Sequence, residues 1–241
     1  MSAFRRISEA RHLLLSLSGL LKEEVPPLEA VLEAAKRDDA QPGIRWPRNR
    51  WVEAFPEYRS ELDDLPDRLS RQDVRAACDR QARTSDGATL SFVVCMAWGH
   101  GESGYGVHRT QTVLQLAGGE AGPRLAIAQS AVITDGPLAG YAALADPARS
   151  RLHKLGPAFG TKFLFFQSPN ALILDALIAR WYQGITDQPL RPTVWKPDLY
   201  SVYLTQMQEW ADSIGVRPDK IEQAAFQLMA NEEGNQWSAQ P

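Results

Sequence analysis

The chain has 241 residues, 44% of them hydrophobic, enough to bury a substantial core in one or two domains. Its net charge of −3 excludes a whole-molecule basic field for nucleic acid, so any polyanion must bind at a local patch. Two cysteines (Cys78, Cys95) and four scattered histidines (His12, His100, His108, His153) supply neither a disulfide framework nor metal-ligand spacing, so no metal and no cofactor are expected.

Residues 5–21 and 28–37 carry apolar side chains at helical spacing, separated by Pro26-Pro27. The first contains R-H-L-L-L-S-L-S-G-L-L. Glu9 precedes it, K-E-E follows, and no small-residue cleavage site is present, so it reads as an amphipathic helix and not a secretion signal. No run approaches the ~18 apolar residues of a membrane span. A soluble, cytoplasmic protein is expected. Residues 41–66 hold four prolines and read as an irregular connection with short helical turns. Residues 70–82 read as a charged helix.

The segment 88–98 with Gly99, which reads T-L-S-F-V-V-C-M-A-W-G from Thr89, is almost wholly apolar and predicts a buried central helix, although periodicity alone also admits a strand. G-H-G-E-S-G-Y-G follows, with four glycines in eight residues, and another helix starts near Arg109. Helices are predicted over 123–133, in one or two pieces over 138–154, near 161–167, over 176–183, 199–214 and 218–230. A proline-rich link covers 189–197, and the polar tail 232–241 is expected to fray. The fold class is mainly α, with no repeat and no convincing hairpin of strands.

The segment L-G-P-A-F-G-T-K (Leu155 to Lys162) interrupts this pattern. A helix is expected to end near Lys154 and a second to begin at Thr161-Lys162. Gly156 and Gly160 permit positive φ and close backbone approach. A tight helix–hairpin–helix of this kind aims free N–H groups outward from a helix N-terminus, which suits a phosphate and needs no basic surface. A plain connecting turn is the alternative. Thirteen residues after Lys162, the run A-L-I-L leads into Asp175, which fits the N-cap of the next helix. A glycine hairpin, a lysine and a capping aspartate in this order resemble the arrangement of the helix–hairpin–helix DNA glycosylases.

The segment L-G-P-A-F-G-T-K-F-L-F-F…A-L-I-L-D resembles the bacterial 8-oxoguanine DNA glycosylase-fold proteins. It is more distantly similar to eukaryotic 8-oxoguanine glycosylase. M-A-W-G-H-G-E-S-G-Y-G-V-H-R-T (Met96 to Thr110) is similar to the group's glycine-rich signature. Y-L-T-Q-M-Q-E-W-A…K-I-E-Q-A-A-F (Tyr203 to Phe226) is similar to its C-terminal helix pair. The resemblance covers roughly residues 90–230; the first 85 match only through R-W-P-R-N-R-W and F-P. The absence of a four-cysteine cluster separates the chain from the endonuclease III branch.

The resemblance implies two helical subdomains around a base-binding cleft, with 1–87 as an N-terminal region, 88–231 as the glycosylase core, and a hairpin at about 141–167. The implied activity is a DNA glycosylase that flips a modified base out of double-stranded DNA and excises it. Lys162 and Asp175 are the implied catalytic pair. The lysine amine attacks C1′ in bifunctional members, and the aspartate stabilises the developing positive charge. A phosphate-contacting lysine with Asp175 acting alone is the second reading. Gly156, Pro157, Gly160 and Thr161 are implied to clamp DNA. His100, Tyr105 and Arg109 are candidates to fill the gap left by the extruded base, or else form an ordinary turn. Gln223 and Phe226 are implied to line the base pocket, with core packing as the alternative for Phe226. The base is 8-oxoguanine-type, or a modified base of phage DNA such as glucosylated hydroxymethylcytosine in antiviral defence. Action as a monomer is expected. The competing classes are a non-catalytic hairpin DNA-binding module and a helical interaction protein.

Overall fold

The computed structural model describes residues 25–37 and 41–232; the helix predicted over 5–21 and the tail beyond 232 lie outside them. The first described helix is α1, Leu28–Lys36. A two-stranded antiparallel ladder follows, β1 (Ile44–Arg45) against β2 (Arg68–Leu69), with Ile44 opposite Leu69 and Arg45 opposite Arg68. Between them lie α2 (Arg48–Ala54) and α3 (Arg59–Asp63). Next come α4 (Arg71–Asp79), α5 (Ser85–His100), α6 (Tyr105–Ala117), α7 (Ala121–Thr134) and α8 (Pro137–Ala145). The chain continues through α9 (Pro157–Gln167), α10 (Ala176–Thr186), α11 (Pro197–Ile214) and α12 (Pro218–Glu232). The molecule is mainly α, as predicted.

The apolar run at 88–98 is a helix. Thr84 caps α5 through its hydroxyl, which accepts from Gly87 N–H, and Gly101 ends it at φ 54°. All its residues from Leu90 to Trp98 are buried, so α5 is the helix around which α4, α6, α7 and α9 pack. A second group forms where α12 packs on α1, α10 and α11. One hydrophobic core runs through both groups, from Val31 to Met229. Residues 25–79 therefore share that core with the rest of the described chain.

The two groups are joined by an apolar stretch that is neither helix nor ladder. Ala171, Leu172, Ile173 and Leu174 are all buried, so their backbone polar groups need partners away from water. Three side-chain hydroxyls meet that need. Tyr200 Oη accepts from Leu172 N–H at 3.2 Å and donates to Leu172 C=O at 2.7 Å. Tyr203 Oη donates to Ile173 C=O at 3.0 Å. Thr161 Oγ1 accepts from Leu174 N–H at 2.9 Å. Burial raises the ionisation points of both tyrosines, which keeps them as donors.

The hairpin departs from expectation. Helix α8 ends at Ala145, and 146–156 is a chain of turns built on Asp146, whose carbonyl accepts from Arg149, Ser150 and Arg151 N–H. Helix α9 begins at Pro157, so Lys162 sits in its second turn and not its first. The cause is that proline at the first helical position needs no N–H partner and comes with φ already set. Positive φ falls on Lys154 (69°), whereas Gly156 has φ −95° and Gly160 is inside the helix.

Candidate active site

Lys162 and Asp175 meet. Nζ donates to Asp175 Oδ2 at 3.1 Å and to Ala158 C=O at 3.4 Å, and lies 5.3 Å from the centre of the Phe159 ring. The other aspartate oxygen, Oδ1, accepts from Ile178 N–H at 3.2 Å, the predicted N-cap. Lys162 is only 8% exposed, an uncommon position for a lysine unless it is paired. The pair's spacing is held by its sequence neighbours. Thr161 precedes Lys162, Leu174 precedes Asp175, and the Thr161 hydroxyl ties them while donating to Pro157 C=O at 2.8 Å. Thr161 is thus wholly buried, and its side chain acts inside the protein and not on DNA.

The pair opens into a cavity of about 300 Å³ between the two helix groups. Its apolar lining includes Ile44, Trp98, Ile173, Leu177 and Phe226. The wall from α12 is Glu222 with Phe226, four residues apart on one helix face, whereas Gln223 is buried beside them and does not line it. Glu222 is fully buried and holds Arg71 by two bonds, Oε2 to Nη1 at 2.7 Å and Oε1 to Nη2 at 3.1 Å. Burial raises the Glu222 carboxyl above the usual carboxylate range, with the Arg71 charge opposing that shift. Arg71 Nε donates to Gln41 Oε1 at 2.8 Å, and the guanidinium lies 5.6 Å from the Trp98 ring and 5.0 Å from the Phe165 ring. Gln41, Arg71 and Glu222 are not legible as site residues in the sequence. Arg71 is 151 positions from Glu222, and locally it is only the first residue after the Ser70 N-cap. The one available signal is that Glu222 shares a helix face with Phe226.

The hairpin's outer side is a groove of about 700 Å³ lined by Arg109, Arg124, Arg151, His153, Lys154 and Gly156, among others. Arg109 donates to Lys154 C=O at 2.7 Å and Arg124 to Arg151 C=O at 2.9 Å, which hold the turns in place. The predicted fan of free N–H groups at the start of α9 is absent. Pro157 has no N–H, Ala158 N–H is taken by Pro192 C=O at 3.1 Å, and Phe159 and Gly160 N–H both turn to Gly156 C=O. Gly160 instead makes room for an aromatic ring, since a Cβ there would lie 2.4 Å from Trp195 Cη2. Gly156 is less confined, since a Cβ there would come no nearer than 3.8 Å to the Pro192 carbonyl oxygen. Positive charge at this face therefore comes from side chains more than from the helix end.

Of the three gap-filling candidates, Tyr105 stands 56% exposed at the start of α6, and Arg109 donates to its hydroxyl at 3.4 Å. His100 is more enclosed. It stacks on Phe159 with centroids 4.1 Å apart, and its buried Nε2 lacks a hydrogen-bond partner among the described residues. Burial, helped by the charges of Lys162 and Arg109, pushes its pKa down to about 4, so it is neutral at pH 7. Cys78 and Cys95 are buried free thiols with sulfurs 3.8 Å apart. Among the described residues there is no cluster of three metal-ligating side chains, and no helix is long and apolar enough to cross a membrane.

A family model described as "Putative 8-oxoguanine DNA glycosylase OGG-like protein" matches residues 37–226. No curated protein and no solved structure matches the chain. The matched region contains the hairpin, the lysine–aspartate pair and the residues lining the cavity, and it spans most of the sequence. The chain belongs to this family of OGG-like proteins.

Proposed function

We propose that this chain excises a modified base from double-stranded DNA, with Lys162 as nucleophile and Asp175 as its partner. The observation that carries this reading is a buried, hydrogen-bonded lysine–aspartate pair opening into a cavity of nucleobase size. In this scheme the neutral Lys162 amine attacks C1′ of the extruded nucleotide. Asp175 Oδ2, already bonded to Nζ, takes a proton from the lysine ammonium before the attack and gives it to the departing base as the C1′–N bond breaks, after which its carboxylate stabilises the positive charge on the lysine–sugar adduct. The base leaves with the bonding electrons and is protonated. Opening of the sugar ring gives an imine between Nζ and C1′, from which the 3′ phosphate is eliminated.

A cavity of about 300 Å³ lies at the small end of the range for ligand pockets and can take a nucleobase. The family description favours an 8-oxoguanine-type substrate over a glucosylated base of phage DNA. The groove with Arg109, Arg124, Arg151 and Lys154 suits the phosphates flanking the extruded nucleotide. One chain supplies every residue the scheme uses, in line with action as a monomer, and residues 41–71 contribute to the site together with the core from 88 onward. The test is incubation with duplexes carrying modified bases in the presence of borohydride. A trapped adduct that disappears in Lys162→Ala supports the amine route. Base release that survives Lys162→Ala but not Asp175→Ala points to hydrolysis by a water that Asp175 activates. Binding with no release from any duplex leaves a non-catalytic DNA-binding module.

A further inference from the structure

The polar groups around the cavity are unequally committed. Two carboxylates line it, and both oxygens of each are already hydrogen-bonded: Asp175 to Ile178 N–H and Lys162, Glu222 to both Nη atoms of Arg71. Gln41 has no choice of orientation. Arg71 Nε is a donor only, so Gln41 must turn its carbonyl oxygen toward it, which leaves the amide NH₂ as the uncommitted end. Arg71 has five N–H groups, and Glu222 and Gln41 together occupy three of them. Its guanidinium cannot swing away, because Glu222 and Gln41 fix its edge while Trp98 and Phe165 pack against it. The uncommitted side-chain groups facing this space, on Gln41, Arg71 and Lys162, are therefore all donors.

We propose that Arg71 and Gln41 are specificity-determining residues that select the extruded base by a carbonyl edge, accepting ring-carbonyl oxygens and rejecting an exocyclic amino group at the same position. This rests on the base-excision reading above. A carbonyl oxygen completes the remaining N–H groups of a fixed guanidinium and amide. An amino group there meets N–H against N–H, and neither side finds an acceptor. Glu222 is the positioning residue in this device: fully enclosed, it holds the guanidinium in one orientation before any base arrives.

The experiment uses the full chain in single-turnover excision on duplexes carrying damage-matched bases that differ at one exocyclic position: 8-oxoguanine against 8-oxo-2,6-diaminopurine, and 5-hydroxyuracil against 5-hydroxycytosine. In whichever pair is processed, the carbonyl-bearing member is expected to leave on the order of 10- to 100-fold faster. Two variants are compared on the same pairs. Gln41→Leu changes a half-exposed residue of an irregular segment, so folding does not hinge on it. Arg71→Met with Glu222→Leu removes the ion pair as a unit and leaves no buried charge behind. Each should shrink the carbonyl-to-amino rate ratio at least threefold. A purely structural role would slow both members equally and leave the ratio alone. Equal or faster release of the amino-bearing bases by the unaltered chain, or an unchanged ratio in both variants, overturns the proposal while leaving base excision intact. Release from none of the four duplexes overturns this inference, and the wider set of modified duplexes above then decides the excision reading.

Discussion

Asp175 does two jobs with two oxygens, and two substitutions separate them. Oδ2 pairs with Lys162 at 3.1 Å and Oδ1 caps α10 through Ile178 N–H. Asp175→Asn keeps a side-chain oxygen for the cap and removes the charge. Asp175→Ala removes both. At 3.1 Å and an effective dielectric constant near 20, the gross attraction of the pair is about 5 kcal/mol. Desolvation of two mostly enclosed ions offsets much of that, so losing the charge should cost about 2 kcal/mol, between the values for exposed and fully buried pairs. Loss of the cap adds about 1 kcal/mol. For a chain of this size, 1 kcal/mol shifts Tm by roughly 2–4 °C. Asp175→Asn should therefore melt about 4–8 °C below the unaltered protein, and Asp175→Ala roughly 2–4 °C lower again. Urea denaturation at 25 °C gives the same free energies without extrapolation in temperature. Lys162→Met combined with Asp175→Asn should be less destabilised than the two single changes added together, because each single change strands a charge. Base release should fall about 100-fold or more in both aspartate variants. Equal stability of the Asn and Ala variants would refute the capping argument. Full base release by Asp175→Asn would refute the catalytic one.

Three further outcomes follow from the same geometry. Thr161→Val removes the hydroxyl that accepts from Leu174 N–H and strands that buried group; the loss should be about 1–3 kcal/mol by urea denaturation, and base release should fall through displacement of Asp175 although neither reacting side chain is changed. His100 has a folded pKa of about 4 against an ordinary 6.5, so its neutral form is favoured in the fold and its stabilising contribution is complete above pH 6.5 and lost as pH falls toward 4. With allowance for solvent at this partly exposed ring, that amounts to about 1–2 kcal/mol. His100→Phe, which keeps an aromatic ring on Phe159, should flatten the Tm-against-pH curve in that window; an unchanged acid limb would show that His100 does not titrate there. Arg151→Ala, at an exposed position of the hairpin groove, should make the slope of log affinity against log salt less negative by about 0.9 if one phosphate contact is lost, whereas an unaltered slope removes Arg151 from the DNA face.

The lysine–aspartate pair is legible in the sequence because both residues are marked locally. A hairpin with glycines precedes one, a four-residue apolar run leads into the other, and the cap on α10 is a one-turn interaction. The central helix α5 is legible from composition, since an apolar run of that length has to be enclosed. What is not legible depends on distant partners. The first turn of α9 has the residues of a phosphate cradle, yet the Pro192 carbonyl, from a loop beyond α10, occupies Ala158 N–H. The start of α9 falls earlier than expected because Pro157 opens the helix instead of breaking it, and Gly-Pro is also a helix-start signal. Each strand of the β1–β2 ladder is two residues long, too short to show alternation. Arg71 and Gln41 carry no local mark of their role, which is created by Glu222 and the aromatic rings around them.

The Arg71–Glu222 bond also dictates when the site can exist during synthesis. The two residues are 151 positions apart, and at roughly 5–20 residues per second the ribosome delivers the carboxylate about 8–30 s after the guanidinium. Lys162 and Asp175 emerge within that interval, before the wall from α12 is available. A nascent chain stalled ahead of α12 would hold Lys162 and Asp175 with one wall of the cavity missing. The α12 wall of the cavity, formed by Glu222 and Phe226, is therefore added only when the C-terminal part of the chain has been made.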